Sequence, residues 1–93
     1  MSKSQVNISK QAQKDLNKVP AYIAQNLAFW AADVKEFGLA EVRKIPGHHD
    51  EPLKGDRKGQ RSIRLSKSYR AIYKVLAGEI EIVEVIEVNK HKY

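Results

Sequence analysis

The sequence predicts an α+β domain of order β-α-α-β-β-β, a helical hairpin packed on one face of a small, mainly antiparallel sheet. Three observations carry this. Ile23, Leu27, Trp30, Val34 and Phe37 recur at spacings of four, three, four and three, the apolar stripe of an amphipathic helix. Pro20 separates that helix from a shorter periodic run before it. Three strand-like runs then close the chain: Arg61 to Leu65, Tyr69 to Leu76 and Ile80 to Val88.

Each element has a local reason. Val6 to Ile8 alternates and reads as a brief first strand. Ser9 suits the N-cap of a helix beginning at Lys10, whose apolar positions are Ala12, Leu16 and Val19. Gly38 is a natural stop for the second helix, and two helices joined at a proline suggest an antiparallel pair. Residues Leu39 to Gln60 form a polar connection of the length that is usually functional, with a short strand or turn expected around Val42 to Ile45. Beyond it, a three-residue loop at Ser66 to Ser68 sets Leu65 opposite Tyr69 and Arg64 opposite Arg70. Ile63, Leu65, Tyr69, Ala71, Tyr73 and Val75 then face the helices, and Arg64, Arg70 and Lys74 face away. The pair Gly78-Glu79 marks the next turn. The last run is apolar at both parities (Ile82, Val83, Val85, Ile86), as a central strand would be, and its phase stays open.

Ninety-three residues make a single domain, 1–93, with no room for a second core. Hydrophobic content of 42% and charged content of 30% exclude a disordered chain. With no cysteine, disulfides and thiolate metal sites are excluded. No apolar stretch could span a bilayer or serve as a signal peptide, so a cytoplasmic location and no membrane partner are expected. The net charge is +6 and it is unevenly spread. From Arg43 to Lys74 there are ten basic residues against three acidic, whereas Glu79 to Glu87 carries four acids and no base. A basic middle on a small domain suits a phosphate-rich partner.

A basic sheet face binds RNA; cleaving it demands more. The ribose 2′-OH must lose a proton and attack phosphorus in line, the 5′ oxygen must leave with a proton, and the phosphate's charge must be held throughout. A carboxylate or histidine, arginines and a proton donor suffice, with no metal or cofactor. Glu51 in the connection, Arg64 and Arg70 on the outward face, and His91 and Tyr93 after the last strand supply these types. Each also has a bland reading, since Glu81 or Glu84 could simply neutralise the arginines. Adjacent His48 and His49 with Asp50 raise zinc binding, but neighbouring side chains rarely chelate one ion and no second ligand pair of recognisable spacing exists.

Glu51-Pro52-Leu53-Lys54-Gly55, then Gly59, then Ser62-Ile63-Arg64-Leu65 and Tyr69-Arg70-Ala71-Ile72-Tyr73 resemble the central signature of the RelE/ParE superfamily of type II toxins, nearest its YoeB and HigB-like branches. That resemblance implies the same β-α-α-β-β-β fold and bacterial, metal-independent, ribosome-dependent cleavage of mRNA in the A site. The partners it implies are the mRNA, the 70S ribosome with its rRNA, and a cognate antitoxin. It makes Glu51 the general base and Arg70 the holder of the scissile phosphate, with His91 as acid and Tyr93 as stacking or orienting group. Lys54 and Arg64 would hold neighbouring phosphates or ribosomal RNA. Arg57 and Arg61 extend that RNA-binding strip, which an acidic antitoxin segment would mask. The tail departs from the YoeB pattern, because Lys92 separates His91 from Tyr93 and could itself donate a proton or contact phosphate. The competing reading is a ParE-like toxin, which shares the fold, binds DNA gyrase and cleaves no RNA. It needs no Glu-Arg-His set, so Glu51, Arg64, Arg70 and His91 together favour the nuclease. A non-catalytic RNA-binding sheet fits less well, for want of clustered aromatics.

Overall fold

The computed structural model describes residues 4–76, 78 and 80–90. Strand β1 (Ser4–Ile8) leads into helix α1 (Lys10–Leu16), the long helix α2 (Ala21–Phe37) and a single turn, α3 (Leu39–Val42). The sheet is completed by the two-residue β2 (Glu51–Pro52), then β3 (Gln60–Arg64), β4 (Tyr69–Leu76) and β5 (Glu81–Lys90). Its order is β1-β5-β4-β3-β2; β1 runs parallel to β5 and every other pair is antiparallel. The expected architecture holds. Where a strand or turn was expected around Val42 to Ile45, the chain makes α3 and then a turn, and the extra strand lies later, at Glu51.

Ser9 explains how helix and sheet are joined. Its hydroxyl accepts from the Ala12 amide at 3.0 Å, capping α1, and its proton goes to the Ile86 carbonyl at 3.0 Å. Strand β1 ends at Ile8, opposite Val85, so the edge of β5 beyond that point lacks a strand partner. The Asp15 carboxylate meets this need by accepting from the Val88 amide at 2.9 Å. Helix α1 thus seals the backbone groups that the short β1 leaves open.

The core lies between α2 and the sheet. Ile23, Leu27, Trp30 and Val34 of α2 are buried against Ile63, Ala71, Tyr73, Val83, Val85 and Val88. Phe37, expected to extend the stripe, is 61% exposed. It is the last helical residue before Gly38, which takes φ +86°, and the chain turns into α3 so that Leu39 and Val42 fill the core instead. Val75, expected to face the helices, is 41% exposed near the end of β4.

The phase of β5 is settled by a bulge. Ile72 pairs with Glu87 but Tyr73 pairs with Val85, leaving Ile86 as the extra residue. The inward positions are therefore Val83 and Val85 before the bulge and Val88 after it. The parity switch brings Val88 to the inward face with Val83 and Val85, while Ile82, before the bulge, lies on the opposite face.

Candidate active site

The β3–β4 pairing matches the three-residue loop: Arg64 lies opposite Arg70, and the Leu65 amide donates to the Tyr69 carbonyl at 2.9 Å. Partners across strands point to the same face, so three rows cross the face turned away from the helices. One holds Arg64, Arg70 and Asn89. The next holds Glu51, Ser62, Ile72 and Glu87. The third holds Gln60, Lys74 and Glu84. Arg70 reaches back one row, its Nη1 donating to Ser62 Oγ at 2.8 Å. Glu51 is exposed on β2 directly opposite that same serine. Glu51, Arg64 and Arg70 thus share one face, with Ser62 between the acid and Arg70.

This face is less open than expected. Arg57, in the 3₁₀ turn Gly55–Arg57, makes an ion pair with Glu87 of β5 and also bonds Gln60 at 3.0 Å. Gln60 is on β3 and Glu87 on β5, so the Arg57 contacts span β4, whose Ile72 is only 7% exposed on this helix-free face. Arg57 is therefore partly neutralised. Glu84 pairs with Lys74 at 3.5 Å and Glu81 accepts from Ser4 at 2.6 Å, so neither balances the arginines. Among the described residues no carboxylate pairs with Arg64 or Arg70.

Arg61 requires a correction. Expected in the RNA-binding strip, it instead pairs with Tyr73 and shares the face of Ile63, toward the helices. There its Nε donates to Asp50 Oδ1 at 2.5 Å and its Nη2 to the Asp50 carbonyl at 3.3 Å. Tyr73 donates its phenol to Asp50 Oδ2 at 2.5 Å. Burial disfavours the charge on Arg61, yet the bond and the charge of Asp50 outweigh it and hold its pKa above the ordinary value. Burial first, then the bond to Asp50 and its negative charge, push the Tyr73 phenol well up, against the opposing charges of Arg61 and Arg43. Side-chain parity alone would have separated Arg61 from Arg64; nothing in the sequence marked Asp50 for a buried role.

The two loop histidines diverge. His48 lines a cleft with Asn26, Trp30, Asp33 and Arg64. His49 takes a left-handed backbone, φ +46°, and its Nε2 lies 3.3 Å from Arg64 Nη1. With the arginine as donor, Nε2 is the accepting nitrogen. Lys54 is exposed just past β2. His91, Lys92 and Tyr93 lie outside the described residues. Asn89, two positions before His91, is the partner of Arg70.

A family model described as the ParE toxin of the type II toxin-antitoxin system parDE matches residues 6–92. The chain belongs to the ParE toxin family. It is thus a toxin of the type II class, as its RelE/ParE-like signature implied. A comparison with curated sequences yields no match. Solved structures share the ParE-family fold. YafQ from Escherichia coli superposes with a TM-score of 0.73 at 17% identity, over 95% of this chain and 93% of that one. A YoeB/ParE toxin from Agrobacterium tumefaciens gives 0.69 at 20% identity, over 95% and 99%. The toxin-antitoxin complex RelBE2 from Mycobacterium tuberculosis gives 0.69 at 23% identity, over 96% and 99%. At these identities the likeness establishes the ParE-family fold. Among the described residues no helix is long and apolar enough to cross a membrane.

Proposed function

We propose that this toxin is an endoribonuclease that cuts mRNA in the ribosomal A site and is silenced by a cognate antitoxin. The observation that carries the reading is the Arg64–Arg70 pair: two cations held opposite each other, without a carboxylate partner among the described residues, on the face that also presents Glu51. A phosphodiester seated over the two guanidiniums would relieve their repulsion. Glu51 takes the 2′-OH proton, O2′ bonds to phosphorus, and the P–O5′ bond breaks as O5′ receives a proton. The charge gathered on the phosphate falls to Arg70, with Arg64 and Lys54 on flanking phosphates. The tail residues His91 and Tyr93 are proposed as acid and orienting group, with Lys92 on phosphate; the strand they follow in sequence ends at Lys90, one residue past Asn89, the partner of Arg70. No step requires a metal or cofactor. Cytoplasmic action on ribosome-bound message follows from the same reading.

The family match favours a second reading, inhibition of DNA gyrase without RNA cleavage. A translation extract programmed with a defined message and read by primer extension separates the two when run beside a gyrase supercoiling assay. Cleavage of message in 70S complexes, with supercoiling unaffected, supports the nuclease. An intact message with supercoiling blocked rejects it.

A further inference from the structure

Glu51 lies on a strand that should hold it poorly. Strand β2 has two residues, one of them Pro52, which has no amide proton to give the ladder. The next anchor is the Leu53 amide on the Gln60 carbonyl at 2.9 Å. Before Glu51 stand a 3₁₀ turn and the left-handed His49. A site that depends on placing one carboxylate to within a fraction of an ångström needs something firmer.

Asp50 supplies it. Its side chain is 1% exposed, and both carboxylate oxygens and its carbonyl are bonded, to Tyr73 and Arg61. Tyr73 is itself fully buried, with its ring 5.2 Å from that of Trp30 on α2. Successive side chains in extended chain point to opposite sides. With Asp50 locked toward the helices, Glu51 is turned onto the other face, opposite Ser62, while the left-handed turn at His49 carries its ring to Arg64.

We propose that the Asp50–Tyr73–Arg61 network is the positioning device of the site, fixing the register of residues 49–51 so that Glu51 and His49 face Arg70 and Arg64. The inference rests on the reading of Glu51 as the base. None of the three residues touches the message; they act through the backbone they hold.

A merely stabilising network would lower the folded fraction and nothing else, and a double-mutant cycle tells the two apart. Single-turnover rates on ribosome-bound message are measured for wild type, Tyr73→Phe, Glu51→Gln and the double variant, each shown folded by circular dichroism. Tyr73→Phe is expected to lower the rate ~10–10²-fold with half-saturation by ribosomes unchanged, as for a misplaced catalytic group. In the Glu51→Gln background most of that loss should disappear, leaving only the modest share that runs through His49. An equal fractional loss in both backgrounds overturns the proposal. If Tyr73→Phe fails to fold, Asp50→Asn keeps the shape of the side chain and carries the same cycle. If wild type cuts no message, the nuclease reading fails on its own, and amide hydrogen exchange judges the network. Loss of protection at Glu51 and Leu53 in an otherwise protected Tyr73→Phe sustains it; unchanged protection there overturns it.

Discussion

Arg64 and Arg70 are direct cross-strand partners at the mouth of the β3–β4 turn, the Arg70 guanidinium turned to Ser62 and that of Arg64 to His49. Like charges so placed destabilise a strand pair, by about 0.2–1 kcal/mol on the scale of cross-strand interactions. Arg70 is bonded to a neutral hydroxyl and Arg64 to a histidine, and neither partner cancels the charge. An anion would. Arg64→Gln should therefore leave the free protein as stable as wild type or slightly more so, while weakening cleavage. Thermal melts with added inorganic phosphate should show a larger rise for wild type than for Arg64→Gln. Equal rises would mean that phosphate acts only through its general stabilising effect and that the pair is no anion site.

Arg70→Ala and Glu51→Ala should each remove most of the cleavage while the domain stays folded. The arginine is expected to cost ~10²–10³-fold as the holder of transition-state charge, and the glutamate ~10²–10⁴-fold as the base. Glu51 is exposed, so its loss should not disturb packing. Arg70→Ala deprives the Ser62 hydroxyl, 1% exposed, of its donor and should lower stability by about 1 kcal/mol. Urea unfolding measures the second effect and ribosome-bound cleavage the first. Full activity in either folded variant would take that residue out of the mechanism.

The Asp50 network should reveal itself at alkaline pH. The Tyr73 phenol is raised from its ordinary value of 10.0, by burial first and by the bond to Asp50 next. A raised folded value contributes stability that is complete below the unfolded pKa and is lost as pH climbs toward the folded one. Tyr73→Phe should thus cost ~1–3 kcal/mol at neutral pH, where it leaves a buried acceptor short of a bond. That difference should hold up to about pH 10 and shrink above it, because only the wild-type unfolded chain gains an ionising phenol. Urea unfolding of both proteins at pH 8 and near pH 11 reads this directly. Lysine titration is common to both and cancels in the comparison. A constant difference across that range would mean that Tyr73 is not held neutral in the fold.

Much of this arrangement was legible because alternation and loop length are rigid constraints. A three-residue loop fixed the Arg64–Arg70 register, and the apolar partners of Ile63 and Ala71 fixed which face the arginines take. Alternation also separates Arg61 from Arg64, although the basic run conceals this by presenting them as one strip. The β5 bulge was not legible, since it is a matter of pairing between strands, and the groups that bind β5 around it, Ser9 at the Ile86 carbonyl and Asp15 at the Val88 amide, are more than 70 residues away in sequence. Phe37 kept the helical period yet lay outside, because the period does not say where the next turn will bring Leu39. Asp50 stood out only beside His48 and His49, with no local signal of a buried role. A buried aspartate is identified by its partners, here 11 and 23 residues away in sequence.

The inward turn of Arg61 changes what antitoxin binding should look like. With Arg61 turned inward and Arg57 paired with Glu87, the cations left for an acidic antitoxin segment are Lys54, Arg64 and Arg70. Charge-steered association slows as salt screens it. Neutralising Arg64 or Lys54 should lower the on-rate at low salt and flatten its salt dependence. Arg61→Gln should instead lower the stability of the toxin, with little effect on the salt slope. Stopped-flow association with the cognate antitoxin between about 50 and 500 mM salt tests the assignment. A salt slope that falls as much for Arg61→Gln as for Arg64→Gln would return Arg61 to the strip.

The proton donor to the leaving 5′ oxygen is the sharpest point. His91 is the residue the resemblance implies, but Lys92 stands between it and Tyr93, and His49 is the histidine brought to Arg64. Removing the tail must begin at position 91, because Asn89 and Lys90 belong to β5 as partners of Arg70 and Tyr69. A deletion that includes them would remove strand pairing beside Arg70 and confuse a folding defect with a chemical one. Deleting residues 91–93 should therefore abolish cleavage while leaving the melt nearly unchanged. Among single changes, His91→Ala should cost more than Tyr93→Phe, and Lys92→Ala least, in single-turnover rates on ribosome-bound message. His49→Ala is the control with an opposite expectation: it should weaken cleavage modestly, through the freed Arg64, and leave the pH profile in place. An acid with a histidine's pKa puts a falling limb on the alkaline side of the rate profile, near pH 6.5–7 before the ribosome's own field shifts it. His91→Ala should erase that limb. If it survives in His91→Ala and disappears in His49→Ala, the proton comes from the loop and the tail serves only to orient the message.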